Sequence, residues 1–323
     1  MTPRYSIIIP VYNRPQEVAE LLSSLTKQSY KNFEVLIVED GSSQRCDVVV
    51  DHYREKLLVQ YFYKPNSGPG PSRNFGYGKA QGEYLIVFDS DCIIPPDYLM
   101  IVENHLRVDK LDAWGGPDRA SEDFTPAQRA MGYTMSSVFT TGGIRGNKKS
   151  VGWFQPRSFN MGISREVFEK TGGFNFTHLA EDIEFSIRIK RAGFKVGLIA
   201  DAYVYHKRRA DLMSFYHQVY NFGRGRIMVG RVFPEEVKLA HWFPTLFVLG
   251  VVVIVVLIPF YPHLSIAIAL CYAAYLVLIF SHSLYKNKNL FVALLSMPSA
   301  LLQLWGYGSG FFKEWIKSYI HSR

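Results

Sequence analysis

Cysteine is scarce in this chain, and the few cysteines are not arranged for a structural role. The 323 residues contain three, Cys46, Cys92 and Cys271, with no Cys-x-x-Cys pair and no cluster of cysteine with histidine. An odd, scattered set argues against a disulfide framework, and zinc modules need closely spaced thiol and imidazole ligands. The sequence therefore argues against a disulfide-rich secreted domain or a zinc finger, and it fits a reducing compartment.

Charged side chains are missing from two long stretches near the C-terminus. None occurs between Lys238 and Lys286, or between Lys288 and Lys313. The segments that approach or exceed the ~20 residues needed to cross a bilayer are 243–260, 264–285 and 290–312. We therefore predict about three transmembrane helices within residues 242–312.

The residues on either side of these stretches are basic. Within 211–241, apolar and aromatic residues recur at helical spacing beside Arg224 and Arg226. This pattern predicts an amphipathic helix region at the membrane surface. The two guanidinium groups suit the phosphate of a lipid or a diphosphate group. A basic tail, 313–323, follows the last apolar segment.

The distribution of positive charge predicts the orientation. Residues 1–10 contain only a short apolar run, so we expect no cleavable signal peptide. Lys286 and Lys288 lie on the same side of the expected helical hairpin as the basic approach to it, and positive charge marks the cytoplasmic side. We therefore expect a multi-pass protein of the cell inner membrane, with its N-terminal domain in the cytoplasm.

The third apolar segment leaves two arrangements open. A full crossing would place the basic tail on the non-cytoplasmic side, which contradicts the preference of positive charge for the cytoplasm. Pro298 and the glycines at 306, 308 and 310 could instead make the segment kinked or re-entrant, which would keep the tail inside.

Residues 1–210 alternate strand-like and helix-like segments. The apolar runs typical of buried strands are 6–10, 33–38, 57–63 and 84–88. Helical spacing of apolar residues, or a loop rich in glycine and proline that opens a helix, separates these runs. Strands that alternate with helices at this pitch predict an α/β domain with a Rossmann-like, mainly parallel sheet.

Polar side chains follow the ends of the predicted strands. Asp89 and Asp91 come directly after 84–88, Glu39 follows 33–38, and Tyr12 follows 6–10. The carboxyl ends of parallel strands converge where open α/β sheets bind ligands. Two carboxylates at i and i+2 repel each other unless a cation lies between them, and a divalent metal ion is the usual solution. The alternative is an ordinary solvated turn rich in aspartate.

Four ordered motifs resemble the successive signatures of family 2 glycosyltransferases with the GT-A fold. They are Ser6-Ile-Ile-Ile-Pro-Val-Tyr-Asn-Arg, Val35-Leu-Ile-Val-Glu-Asp-Gly-Ser, Gly68-Pro-Gly-Pro-Ser-Arg-Asn and Phe88-Asp-Ser-Asp. The resemblance covers about the first 230 residues. It implies a nucleotide-sugar donor, with UDP favoured, a Mg²⁺ or Mn²⁺ ion, and inversion at the anomeric carbon.

The strand ends and the resemblance together define the expected site. The donor-binding residues are expected to be Pro10, Tyr12, Asn13, Arg14, Glu39, Gly41, Ser42, Arg73, Asn74 and Asp89. The resemblance further implies Asp89, Asp91 and His206 as metal ligands, although a lone histidine is also often structural. Glu39 departs from the family, which usually has aspartate there, and the longer side chain reaches further.

Glu181 and Asp182 open a predicted helix on the acceptor side of the domain. The resemblance implies that Asp182 is the general base that takes the proton of the acceptor hydroxyl, with Glu181 steadying the acceptor. The alternative is that both are capping carboxylates, because helix N-termini favour acidic side chains.

These features predict an inverting, metal-dependent glycosyltransferase acting on the hydroxyl of a lipid-linked acceptor, with no nucleic-acid partner. One alternative is a polyprenyl-phosphate glycosyltransferase, whose phosphate acceptor is already ionised and needs no base. A second is a nucleotide-binding membrane scaffold without catalysis. Processive relatives carry Gln-x-x-Arg-Trp where this chain has Gln218-Val-Tyr-Asn-Phe, which argues against polymer synthesis.

Overall fold

The computed structural model describes residues 2–119, 124–141, 154–206 and 211–321. These residues form two compact units. The first comprises 2–119 and 154–206, and the second comprises 124–141 and 211–321. This division differs from the sequence-based boundary at residue 210, because 124–141 pack with helices of the C-terminal region.

The strands lie in the first unit, and the first four follow the apolar runs of the sequence. They are β1 (Tyr5–Val11), β2 (Phe33–Asp40), β3 (Val59–Lys64), β4 (Tyr84–Phe88), β5 (Cys92–Ile93), β6 (Ala113–Gly115), β7 (Asp118–Arg119), β8 (Asn160–Ser164), β9 (Val196–Leu198) and β10 (Val204–His206).

The helices are divided between the two units, and those within 124–141 and 211–321 belong to the second. They are α1 (Pro15–Thr26), α2 (Asp47–Asp51), α3 (Pro69–Lys79), α4 (Tyr98–Asp109), α5 (Pro126–Ser136), α6 (Val138–Thr141), α7 (Arg165–Thr171), α8 (Glu181–Arg191), α9 (Leu212–Val232), α10 (Phe243–Leu257), α11 (Pro262–Asn287) and α12 (Leu290–His321).

The main sheet has the strand order β3-β2-β1-β4-β8-β6-β9. The pairs among β3, β2, β1 and β4 are parallel, whereas β8 runs antiparallel to both β4 and β6. A smaller sheet has the order β5-β10-β7. The helical crossovers between the first four strands make those strands parallel, so their carboxyl ends share one edge.

Both faces of the main sheet are buried. In β4, Ile86 and Phe88 belong to one hydrophobic cluster, while Leu85 and Val87 belong to the other. Helices α1 and α4 supply side chains to the first cluster, and α3 and α8 supply them to the second. Successive residues of a strand point to opposite faces, so a continuous apolar run satisfies both cores at once.

The second unit is helical. Met131 and Met135 of α5 form a buried cluster with Phe215 and Val219 of α9. Tyr133, also in α5, shares a hydrogen bond of 2.7 Å with Nδ1 of His282 in α11. These contacts explain why a segment from the middle of the chain belongs to the C-terminal unit.

Among the described residues, three helical segments are long and apolar enough to cross a membrane. They are Leu239–Leu257, Pro262–Asn287 and Leu290–Ile320. Pro298 lies inside α12, and that helix continues through most of the segment that the sequence treats as a basic tail. These three segments all belong to the second unit.

Candidate active site

The loops after β1 and β2 are tied together by one asparagine. Asn13 adopts a left-handed backbone conformation with φ of 54°. Its backbone N–H donates to Ser42 Oγ at 2.8 Å, and its side-chain Oδ1 accepts from the backbone N–H groups of Ser43 and Gln44, both at 2.9 Å. The preceding Tyr12 is 55% exposed, so its ring is available to a ligand at this edge.

The side chain of Glu39, in β2, is buried beneath the same loops. Its carboxylate accepts hydrogen bonds from the hydroxyl of Ser42, from the backbone N–H of Cys46 at 2.8 Å and from the Tyr61 hydroxyl at 3.1 Å. Gly41 follows with a φ of 73°, which favours glycine. Pro10 lies in β1, opposite Val38. The assignment of these residues to the donor remains a prediction.

Asp40 anchors the loop that leads into α3. Its carboxylate accepts a hydrogen bond from Lys64. It also accepts from the backbone N–H groups of Ser67 and Gly68, both at 2.9 Å. Burial alone would raise the pKa of Asp40, but these donors, Lys64 first among them, lower it below its usual value. Asp40 therefore fixes the start of the helix that carries Arg73, a role that the sequence did not reveal.

Arg73 joins the two pairs of acidic residues. Its guanidinium donates to Glu181 Oε1 at 2.7 Å and to Asp89 Oδ1 at 3.0 Å, and the arginine side chain is only 4% exposed. The three residues come from α3, from the first turn of α8 and from the loop after β4. The structure thus brings the predicted donor side and acceptor side together within the first unit.

The electrostatics of this trio follow from its burial. Burial alone would lower the pKa of Arg73, but Glu181 and Asp89 raise it above its ordinary value, so the guanidinium stays charged. Burial raises the pKa of Glu181 to about 6, even though Arg73 opposes that shift. The trio therefore has one permanent cation beside a carboxyl group that titrates close to neutral pH.

Asp91 has a different pair of partners. Its carboxylate accepts from Arg14 Nη1 at 2.5 Å and lies 3.0 Å from His206 Nε2. His206 is in register with Cys92 across the antiparallel β5–β10 pair, which places the imidazole beside Asp91. Burial alone would raise the pKa of Asp91, but His206 and then Arg14 hold it well below its usual range.

The donor atoms around Asp91 suit a divalent cation. Ligand atoms of Asp91, Cys92 and His206 all lie within 4.8 Å of one another, and within the described ranges this is the group that meets that test. A carboxylate with an imidazole is a common ligand set for ions such as Mn²⁺. Asp89 is outside this group, and its carboxylate binds Arg73 instead.

Asp182 lies in the first turn of α8, next to Glu181. Its Oδ1 accepts from the backbone N–H of Ile183 at 2.8 Å and lies 3.8 Å from Arg157 Nη1. The first contact is the helix-terminal role that the sequence offers as an alternative. Arg157 was not a candidate, because nothing in the sequence relates it to a carboxylate 25 positions later.

Of the remaining predicted residues, Asn74 and Arg224 have partners within the protein. Both ends of the Asn74 amide bind the backbone of Phe174, each at 2.8 Å. Arg224 and Arg226 belong to α9 of the second unit, where Arg224 pairs with Glu314 at 3.1 Å. Their predicted roles toward a ligand stay predictions.

Comparison with known proteins establishes the family. The model of "Glycosyl transferase family 2" matches residues 6–172, just over half of the chain. The chain therefore belongs to the family 2 glycosyltransferases, as its motifs predicted, and it is an enzyme of that class.

The similar curated proteins share part of the chain. An uncharacterised glycosyltransferase of Haemophilus influenzae is 30% identical over 189 residues, covering 57% of this chain and 61% of its own length. An uncharacterised glycosyltransferase of Rickettsia bellii is 38% identical over 88 residues, which cover 27% of this chain and 13% of the relative. The poly(ribitol-phosphate) beta-N-acetylglucosaminyltransferase TarS of Staphylococcus aureus is 37% identical over 100 residues, covering 30% and 18%. The chain thus matches less than two thirds of these relatives' lengths.

Solved structures confirm the predicted GT-A fold. The mannosyltransferase PcManGT from Pyrobaculum calidifontis, in complex with GDP-Man and Mn²⁺, has a TM-score of 0.61 at 16% identity, covering 100% of this chain and 89% of its own. Residues 1–349 of S. aureus TarS, in complex with UDP-GlcNAc, give a TM-score of 0.51 at 19% identity, covering 99% and 92%. At these identities the likeness concerns the fold alone.

Proposed function

We propose that the chain transfers a sugar, with inversion, from a nucleotide-sugar donor to the hydroxyl of a membrane-bound, lipid-linked acceptor, in the synthesis of cell-surface glycans or glycolipids. The observation that carries the proposal is the buried Arg73, which holds Asp89 from the donor side and Glu181 from the acceptor side. A single guanidinium thus joins one acid of each pair, and we expect the two pairs to form opposite walls of one cleft, with Asp182 next to Glu181.

The donor would occupy the strand ends. Tyr12 offers an exposed ring for stacking against a base, and Arg14 offers a guanidinium for the diphosphate. Asn13, Gly41 and Ser42 shape the loop between β1 and β2 that would enclose the nucleoside. The similar PcManGT and TarS structures contain GDP-Man and UDP-GlcNAc, which supports a nucleotide sugar, and UDP is the nucleotide that we favour.

Asp91 and His206 would hold the Mg²⁺ or Mn²⁺ ion, with Asp89 nearby. When bound, such an ion neutralises negative charge on a departing nucleoside diphosphate. Arg14, already paired with Asp91, would then add its positive charge to the same leaving group. The Mn²⁺ in PcManGT supports a divalent ion without fixing which one.

Asp182 would take the proton from the attacking hydroxyl. It adjoins Glu181, which Arg73 links to Asp89, so the base and the leaving group would face each other across the sugar. Direct attack by the acceptor forms the new glycosidic bond while the bond to the diphosphate breaks, and that displacement inverts the anomeric carbon. No covalent sugar–enzyme intermediate is needed.

A phosphate acceptor is the second candidate, because Arg157 lies 3.8 Å from Asp182 and would suit an anion there. The membrane-spanning segments fit either acceptor. In both cases the enzyme would be a multi-pass protein of the cell inner membrane, with the catalytic unit in the cytoplasm where nucleotide sugars are made.

The substitution Asp182→Asn separates the two acceptors. For a hydroxyl acceptor we expect transfer to fall by about 10²–10⁴, the usual contribution of a positioned base, with donor binding unchanged. Asp201→Asn, at an exposed aspartate of the same unit, should leave transfer intact. Retained transfer in the Asp182→Asn enzyme would contradict the hydroxyl acceptor and support the phosphate acceptor.

A further inference from the structure

Helices α9 and α12 lie side by side and run in the same direction. The contacts advance together along both helices: Tyr216 with Gly306, Tyr220 with Gly310, Arg224 with Glu314, and Arg231 with Ser318. A Cβ added at Gly310 would lie 2.1 Å from the carbonyl oxygen of Tyr220, so the two backbones touch. Residues 306–318 of α12 therefore lie at the same depth in a membrane as α9.

Helix α9 cannot occupy the hydrocarbon layer. It begins six residues after His206, the last described residue of the α/β unit, so it starts on that unit's side of the membrane. It carries Arg224, Arg226 and Arg231, and charged side chains within the bilayer are costly. The part of α12 that pairs with α9 therefore lies at or outside the membrane surface on the side of the catalytic unit.

Two parts of α12 lie beside the end of the α10–α11 hairpin where α10 begins and α11 ends. In the paired region, the Gly308 carbonyl oxygen accepts from Thr245 Oγ1, near the start of α10, at 3.1 Å. The start of α12 also lies beside the end of α11, since Ser296 and Ser283 share a hydrogen bond of 2.7 Å. Both ends of α12 are therefore on one side.

We infer that α12 does not cross the membrane, although its composition would allow it. Instead, α9 and the second half of α12 form a surface pair that binds the interface of the bilayer with water. Helices α10 and α11 are then the two crossing helices, and the C-terminus lies on the same side as the catalytic unit. This arrangement removes the conflict between a basic tail and the positive-inside rule.

The outer face of the pair fits a lipid interface. Away from Gly310 and the buried Glu314, α12 exposes Trp305, Trp315 and Tyr319, each at least 40% accessible. Tryptophan and tyrosine favour the headgroup level, where one end of the ring is apolar and the other is wet. The occupant of this face is therefore the membrane surface itself, continuous with the lipid around α10 and α11.

Full-length protein in sealed vesicles of one orientation tests the sidedness. A protease-cleavable tag is added after Arg323. The markers are Glu55→Cys in the catalytic unit and His263→Cys at the start of α11, each combined with Cys271→Ser. Both marker positions are exposed, whereas the remaining Cys46 and Cys92 are buried. A membrane-impermeant maleimide then reports which side each marker faces.

We expect added protease to cut the tag in the vesicle orientation in which the maleimide labels position 55 but not position 263. A tag protected in those vesicles, and cut where position 263 is labelled, would overturn the inference. Neither outcome depends on sugar transfer, so the proposed activity stands or falls separately.

Tryptophan fluorescence tests the lipid contact. In vesicles of phospholipid brominated near the headgroup end of the acyl chain, we expect strong quenching that falls by about a third or more in Trp315→Phe. Trp114→Phe, at a tryptophan buried in the α/β unit, serves as the matched control and should not lower the quenched fraction. Equal quenching in wild-type and Trp315→Phe protein would show that this face does not bind lipid.

Discussion

The two units of the chain each bury one charged side chain between two partners of opposite sign, with the signs reversed. In the catalytic unit, Arg73 lies between Glu181 and Asp89. In the helical unit, Glu314 lies between Arg224 and Arg231. The central groups are equally buried, with side chains 4% and 5% exposed.

The surroundings of the two trios differ. Glu181 is nearly as buried as Arg73, whereas the side chains of Arg224 and Arg231 are 34% and 45% exposed. Water can therefore replace Glu314 as the partner of the two arginines. It cannot easily replace Arg73 as the partner of the buried Glu181. The first trio therefore fixes the geometry of a site, whereas the second orients two helices that are already held by backbone contact.

The largest effect should follow removal of Arg73. Arg73→Met leaves Glu181 buried beside no cation, so we expect the free energy of unfolding to fall by about 3–5 kcal/mol. Transfer should fall by more than about tenfold, because Asp89 and Glu181 lose their common support. Chemical unfolding and an initial-rate assay measure the two effects. Arg73→Lys should recover part of each, and equal behaviour of the Met and Lys variants would contradict a role for the charge.

Backbone contact in the helical unit predicts the next effect. Gly310→Ala would place its Cβ 2.1 Å from the Tyr220 carbonyl oxygen, so we expect a loss of about 1–3 kcal/mol as α9 and α12 separate. The matched variant Gly78→Ala, in α3, meets no atom within 4 Å and should be neutral or stabilising. Thermal unfolding of both proteins checks the contrast. Equal midpoints would show that the two helices are not in close contact.

The titration of Glu181 should appear in the pH dependence of stability. Its pKa is raised from 4.5 to about 6, chiefly by burial, so the protonated form is favoured in the folded state. The stability that this group contributes is complete below pH ~4.5 and lost as pH rises through ~6, up to about 2 kcal/mol. Relative to Glu181→Gln, wild-type protein should therefore lose stability between these pH values. A constant difference between the two proteins from pH 4.5 to 7 would contradict the burial of this carboxyl group.

The smallest effect should follow loss of Glu314. Glu314→Gln keeps the shape of the side chain, and both arginines can turn to water, so we expect a cost of about 1 kcal/mol and nearly normal transfer. Lys317→Gln, at an exposed position of the same helix, should change stability by less than about 0.5 kcal/mol. A cost for Glu314→Gln that approaches the cost for Arg73→Met would erase the distinction between the trios.

The sequence predicted the first four strands well, because the information is local. The run 84–88 is apolar at every position and short, which is typical of a strand buried on both faces, and β4 has these bounds. Glycine and proline likewise marked the start of α3 at Pro69. The third apolar segment gave the right start for α12, at Leu290.

Contacts between distant residues could not be predicted in the same way. Arg73 and Glu181 are 108 positions apart, and only the order of strands in the sheet brings α3 and α8 together. The tail beyond residue 312 looked like a separate basic segment, because Glu314 reads as a surface charge until the arginines of α9 are placed beside it. Side-chain partners of this kind depend on the tertiary fold.

The most direct test of the central claim is transfer itself, measured with membranes that contain the full-length protein, labelled nucleotide sugars, and Mg²⁺ or Mn²⁺. We expect label to enter the lipid extract with wild-type protein, and this incorporation to be lost with Asp91→Asn and with Asp182→Asn. Label released only into the aqueous phase, or equal incorporation by all three proteins, would contradict sugar transfer to a membrane-bound acceptor at this site.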